Sequence, residues 1–183
     1  MIKRHSTAAG IALALAAAGP GARAQAPFDH YLLALSRSPS WCAAEAGRAE
    51  ADQCDPRRGL GFVLHGLWPQ ADDGWPEDCA TAARDPSRRQ TAAMADVTGS
   101  GGLAYHAWRR HGRCSGLSAE AYFALSRRAF EGFSPPALAP RMTAAEIVAA
   151  TRAANPGLPE AAIVVTCRGG ALAELRLCLD RGL

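Results

Sequence analysis

The sequence has 183 residues, 49% of them hydrophobic, which suits one folded domain with a usable core and argues against a disordered chain. Its formal charge of +3 is supplied by Lys3, Arg4 and Arg23, so the chain beyond them is neutral and has no general attraction for nucleic acid or membrane. Any grip on phosphate must therefore be local, and since no lysine follows Lys3 the basic Lys/Arg side chains beyond it are all arginines.

Residues 1–24 combine a basic start, an apolar alanine- and leucine-rich run and the small-residue stretch Ala22-Arg23-Ala24. This predicts a secretory signal peptide, too short and too alanine-rich for a membrane span. A periplasmic or secreted protein without membrane attachment is expected. Residues 25–183 hold no repeat, long linker or low-complexity run, so a single domain is predicted there.

Residues 28–36 read as a first strand, followed by a turn at Ser38-Pro39-Ser40 and a charged loop over residues 43–58. The apolar run 62–69 reads as a buried strand closed by Pro69. A turn-rich loop carrying Trp75 follows, and its acidic group Asp72, Asp73, Glu77 and Asp78 reads as solvated. Residues 80–97 suit a polar helix that Pro86 interrupts. Gly99-Ser100-Gly101-Gly102 reads as a flexible lead into a helix over 105–114, with Gly112 as its stop. Ser118 caps a helix to about Phe130, and Thr143 with Glu146 forms a capping box opening another to about Ala154. Residues 163–167 and 172–179, joined through Gly169-Gly170, read as a β-hairpin. The fold class is α+β.

The chemistry concentrates in Tyr105-His106-Ala107-Trp108-Arg109-Arg110-His111-Gly112-Arg113-Cys114. As a helix, this stretch puts His106, Ala107, Arg110 and His111 within an arc of roughly 140°. His65 is the polar ring in the buried strand, where it needs a partner or a cleft. Two histidines titrating near neutrality suffice for acid–base chemistry without a metal. A zinc site of His65, His106 and His111 fits poorly, since helical zinc pairs are four apart and no general-base glutamate neighbours these. No metal and no cofactor are expected.

His65-Gly66-Leu67-Trp68-Pro69 and the later stretch with His106, Trp108, His111, Gly112 and Cys114 resemble the ribonuclease T2 family, whose active-site segments read His-Gly-Leu-Trp-Pro and His-Glu-Trp-x-Lys-His-Gly-Thr-Cys. The resemblance covers about residues 28–180. It implies a central antiparallel sheet flanked by helices, and an endoribonuclease cutting RNA through a 2′,3′-cyclic phosphate to 3′-phosphate ends. It makes His111 the general base, His65 the general acid and His106 the phosphate-holding ring. Arg110 stands for the family lysine, as a phosphate fork. Trp68 and Trp75 are candidates to stack a base, and Gln70 to influence base choice. Single-stranded RNA is the expected partner; DNA lacks the 2′-hydroxyl and should survive. A monomer is expected. Ala107 replaces the family glutamate and predicts slower turnover, or an exported RNA-binding relative that no longer cleaves. Arg113 replaces a threonine and adds positive charge near the cleft. The six cysteines read as three disulfides. Local geometry favours Cys42–Cys54 and Cys167–Cys178, leaving Cys79–Cys114, and the resemblance supports the same set.

Overall fold

The computed structural model describes residues 28–44 and 52–183; the expected leader lies outside them. Four strands, β1 (His30–Arg37), β2 (Phe62–Gln70), β3 (Ile163–Arg168) and β4 (Ala171–Leu179), form one antiparallel sheet in the order β2-β1-β4-β3. Among the described residues six helices surround it: α1 (Ser38–Ala44), α2 (Arg88–Ala92), α3 (Ala95–Thr98), α4 (Gly101–Arg110), α5 (Ala119–Glu131) and α6 (Ala144–Ala154). This is the expected α+β architecture.

Register explains which face is buried. Leu33 and Leu35 on β1 pair with Leu177 and Leu175 on one side, and with Leu67 and Leu64 on the other. All six are within 3% of complete burial, joined by Trp108, Tyr122 and Phe123 from the helices. Each such side chain contributes roughly 1.5–3 kcal/mol. The opposite face carries Leu32, Ala34 and Ser36 of β1 against Trp68, Gly66, Glu174 and Arg176, and it is the polar face that holds the chemistry.

Leu64 and Leu67 are three residues apart, yet both enter the core, which a regular strand with a two-residue period forbids. A β-bulge resolves the conflict: Leu35 pairs with Leu64 and Ala34 with Gly66, leaving His65 as the extra residue.

Several local expectations are corrected. Ser38-Pro39-Ser40 starts α1 rather than a turn, since proline is accepted in a first helical turn where its missing N–H is not needed. In the segment read as loop, Asp52–Cys54 and Pro56–Arg58 are short 3-10 turns, the second capped by Asp55. No single helix fills 80–97; Ser87 caps α2 directly after Pro86, and α3 follows separately. α4 begins earlier than expected because the Ser100 hydroxyl accepts from Leu103 N–H at 3.1 Å. Gly101 belongs there, since a Cβ would sit 3.2 Å from the backbone of Thr91 and Ala92. α4 also ends earlier, at Arg110, so His111 leaves the helical arc. Gly112 is not a left-handed stop; a Cβ on it would lie 2.6 Å from Trp108 and 2.8 Å from Tyr122.

Cys42 bonds Cys54, and Cys79 bonds Cys114, but Cys167 and Cys178 are free thiols. The hairpin register rules out the third bridge. Cys167 faces Leu172 near the turn, whereas Cys178 sits at the far end of β4 opposite Leu32 of β1. At the rise of a strand that separation is about 20 Å, well past the reach of a disulfide.

The packing at Gly112 is directly testable. Trp108 and Tyr122 are held by hydrogen bonds to Asp85 (2.8 Å) and to the Leu67 carbonyl (3.0 Å), so neither ring yields easily. Gly112→Ala should lower stability by about 1–3 kcal/mol in urea titration. An unchanged midpoint would contradict this packing.

Candidate active site

The bulge lifts His65 out of the strand's alternation and onto the polar face, where it is 34% exposed. Its Nδ1 meets Oε1 of Glu174, which stands on β4 beyond β1. Ser36 on β1, paired with Glu174 in register, donates its hydroxyl to the same oxygen at 3.2 Å. Oε2 accepts from Nε and Nη2 of Arg176 at 2.9 and 2.8 Å. Burial opposes ionisation of Glu174, but the hydrogen bonds and charges of His65 and Arg176 outweigh it and hold the carboxyl at about 2.

Trp68, three residues further along β2, touches both catalytic candidates. Its ring stacks on His111 with centroids 4.7 Å apart, meets His65 edge-on at 5.3 Å, and lies under the Arg176 guanidinium at 5.1 Å. Its ring is thus engaged within the protein. Trp75, 70% exposed on the loop after β2, is the tryptophan with an open face. Gln70, at the end of β2, turns its amide back onto the Pro69 carbonyl at 2.7 Å.

His111 has unlike surroundings. Its Nδ1 is buried and finds no hydrogen-bond partner among the described residues. Burial, followed by the positive fields of His65, Arg110 and His106, pushes its pKa down to about 3, so the ring is neutral. His106 lies one turn earlier on α4 with an exposed side chain.

The arginines depart from expectation. Arg110 is clamped by Glu77 (2.8 Å) and Asp78 (3.0 Å), and its carbonyl accepts from Asp78 N–H. Half of the acidic group read as solvated is thus engaged, and Arg110 already commits Nε and Nη1 to carboxylates. Arg113 grips Asp85, whose Oδ1 also accepts from the Trp108 indole, so it fastens α4 rather than adding charge to the cleft. Ala107 is 4% exposed beside Gly66 and the Trp68 indole. That indole Nε1 is buried and unpartnered among the described residues, next to the position where the family pattern has a carboxylate.

A cleft of about 610 Å³ opens beside His65, lined by Trp41, Gln53, Thr166 and the Glu174–Arg176 pair. Sequence reasoning missed Ser36, Glu174 and Arg176. Their signal was the polar alternation in 172–179, which marks an open sheet face but does not say what faces it.

The family model described as "Ribonuclease T2 family" matches residues 28–182. The chain belongs to the ribonuclease T2 family. Among its relatives, a ribonuclease from Aeromonas hydrophila is 48% identical over 91 residues, covering 50% of this chain and 40% of that protein. A probable ribonuclease from Haemophilus influenzae is 31% identical over 128 residues, covering 63% of this chain and 47% of that protein. The matches thus span about half or less of these relatives' length. The fold resembles an RNase-related protein from Calystegia sepium (TM-score 0.64, 19% identity, 85% of this chain and 88% of that one). It also resembles RNase NT in complex with 5′-AMP (TM-score 0.61, 19% identity, 86% and 88%).

The site predicts how stability varies with pH. His111 drops from an ordinary value of 6.5 to about 3 on folding, so its contribution is present above pH 6.5 and is lost as pH falls toward 3. Glu174, lowered from 4.5 to about 2, adds a second loss between pH 4.5 and 2. Urea midpoints should fall steadily from pH 7 to pH 3, and His111→Asn should flatten the part between 6.5 and 4.5. Parallel curves for the two proteins would contradict the buried neutral ring.

Proposed function

We propose that the chain is an endoribonuclease cleaving single-stranded RNA by metal-free transesterification. The observation that carries this reading is the pair of imidazoles that both contact Trp68, one buried and neutral, the other bound to an ionised carboxylate. Family membership and the relatives named as ribonucleases support the same substrate class.

In this mechanism the neutral His111 takes the proton of the 2′-hydroxyl as the 2′-oxygen bonds to phosphorus. The bond from phosphorus to the 5′-oxygen breaks, and His65 delivers a proton from Nε2 to that leaving oxygen. One product ends in a 2′,3′-cyclic phosphate and the other in a 5′-hydroxyl. Hydrolysis then reverses the roles: His65 takes a proton from water, and His111 returns one to the 2′-oxygen, leaving a 3′-phosphate. His106, exposed on α4, holds the phosphate. Burial keeps His111 neutral, and the field of Arg110, whose Nε and Nη1 hold Glu77 and Asp78, adds to it. Trp75 stacks a base and Gln70 lies along its path. DNA, lacking the nucleophile, is not cut. Export to the periplasm or beyond fits the two disulfides.

A second reading, an RNA binder without turnover, draws on Ala107 and the unpartnered Trp68 indole beside it. Incubation of oxidised protein with mixed RNA in excess chelator, at pH 5 and pH 7, separates the two. Cyclic- and 3′-phosphate ends are expected, with His65→Phe and His111→Phe each slower by about 10²–10⁴-fold. Intact RNA that is nevertheless bound would overturn the catalytic reading. Where cleavage is seen, Ala107→Glu should raise kcat, because it supplies the acceptor that the Trp68 indole lacks; a slower variant would show that the buried alanine is needed for packing.

A further inference from the structure

A general acid must have its proton fixed on the ring and the ring aimed at the leaving group. We propose that Glu174, locked by Arg176 and Ser36, is the positioning residue of the general acid: it holds the Nδ1 proton of His65 and thereby turns Nε2 toward the leaving oxygen. This rests on the reading of the site as an RNA-cleaving one.

Every bond to the carboxylate points to that role. Oε1 receives His65 Nδ1 and the Ser36 hydroxyl, while Oε2 receives both Nε and Nη2 of Arg176. Both oxygens are filled, and the side chain is only 13% exposed, so the carboxylate is fixed in place before substrate arrives. An acceptor-only group opposite Nδ1 selects the tautomer protonated there. When Nε2 gives up its proton, the Nδ1 proton stays on the ring, hydrogen-bonded to Glu174, and no further group has to move.

His111 provides the internal contrast. Its Nδ1 has no carboxylate and no hydrogen-bond partner among the described residues, and its charged neighbours are cationic. A ring so placed is suited to accept a proton, whereas a ring on an anion is suited to hold one and give it. The position of Glu174 therefore distinguishes the acid from the base. The other charged or titratable groups around His65 are Arg176 on β4, His111 beyond Trp68, and Asp52, Cys167 and Arg168 around the shared cleft. Glu174 is the carboxylate among them that touches the ring.

The test uses the full chain with Glu174→Gln, Glu174→Ala and Glu174→Asp. Imidazole ¹⁵N spectra without substrate read the tautomer of His65, and pH profiles of kcat/KM on an RNA dinucleotide read the acid. The wild type should show the Nδ1–H form; Glu174→Gln should keep it through the amide oxygen, while Glu174→Ala should shift toward Nε2–H. Losing the anion in Glu174→Gln should move the alkaline limb of the profile to lower pH. Glu174→Ala should lower kcat about 10- to 100-fold, part of the 10²–10⁴ that a placed proton donor supplies. Glu174→Asp should restore much of the loss.

An alkaline limb that stays in place in Glu174→Gln, with activity scaled down equally at all pH values, would overturn the proposal and leave Glu174 a structural anchor. Should Glu174→Ala not fold, the Glu174→Gln profile and spectrum decide alone. If wild-type protein does not cleave the dinucleotide, the Proposed function fails. The tautomer spectra still judge Glu174 in that case, and a wild-type His65 protonated on Nε2 would overturn its role.

Discussion

One extra residue in β2 sets the geometry on which the rest of this site depends. Leu64 and Leu67 must both enter the core against Leu35 and Leu33, and only a bulge at His65 lets a strand do that. The burial that stabilises the sheet thus also places an imidazole on the polar face. Glu174 comes within reach of it because the β1–β4 register sets that residue opposite Ser36, with its neighbour Leu175 buried. Core packing and active-site placement here are one constraint, with hydrophobic burial supplying the energy and the polar face carrying the consequence.

From that placement follows an electrostatic asymmetry. Trp68 touches both rings, so each ring's remaining environment decides its state. On one side Glu174 stays anionic because His65 and Arg176 hydrogen-bond to it. On the other, His111 is dehydrated and ringed by cations. Several arginines hold carboxylates: Arg110 on Glu77 and Asp78, Arg113 on Asp85, Arg127 on Asp96 and Arg176 on Glu174. Paired contacts of this kind fix geometry, and Arg113 at Asp85 and, together with His65, Arg176 at Glu174 favour the ionised acid.

Much of this was legible in the sequence, for reasons that differ by residue. Ser118 and Thr143 announced α5 and α6 through local capping chemistry, which depends on neighbours a few positions away. His65, His106 and His111 stood out because polar rings in apolar or helical runs need a reason. The roles of Gly112, Arg110 and Glu174 were not legible, because each depends on a partner distant in sequence: Tyr122, Glu77 and His65. Gly112 looked like a helix stop because glycine often is one; its actual constraint is the space between two rings. The Cys167–Cys178 expectation failed for a related reason, since a hairpin was recognised but its register was not.

In the proposed mechanism the two histidines have unequal jobs: His65 gives a proton to the leaving 5′-oxygen, and His111 takes one from the 2′-hydroxyl. A direct measurement compares an RNA dinucleotide with its analogue in which the 5′-oxygen is sulfur, a leaving group that needs no protonation. His65→Ala should recover most of its lost rate on the sulfur substrate while His111→Ala should not. Recovery by His111→Ala, with His65→Ala still slow, would reverse the assignment.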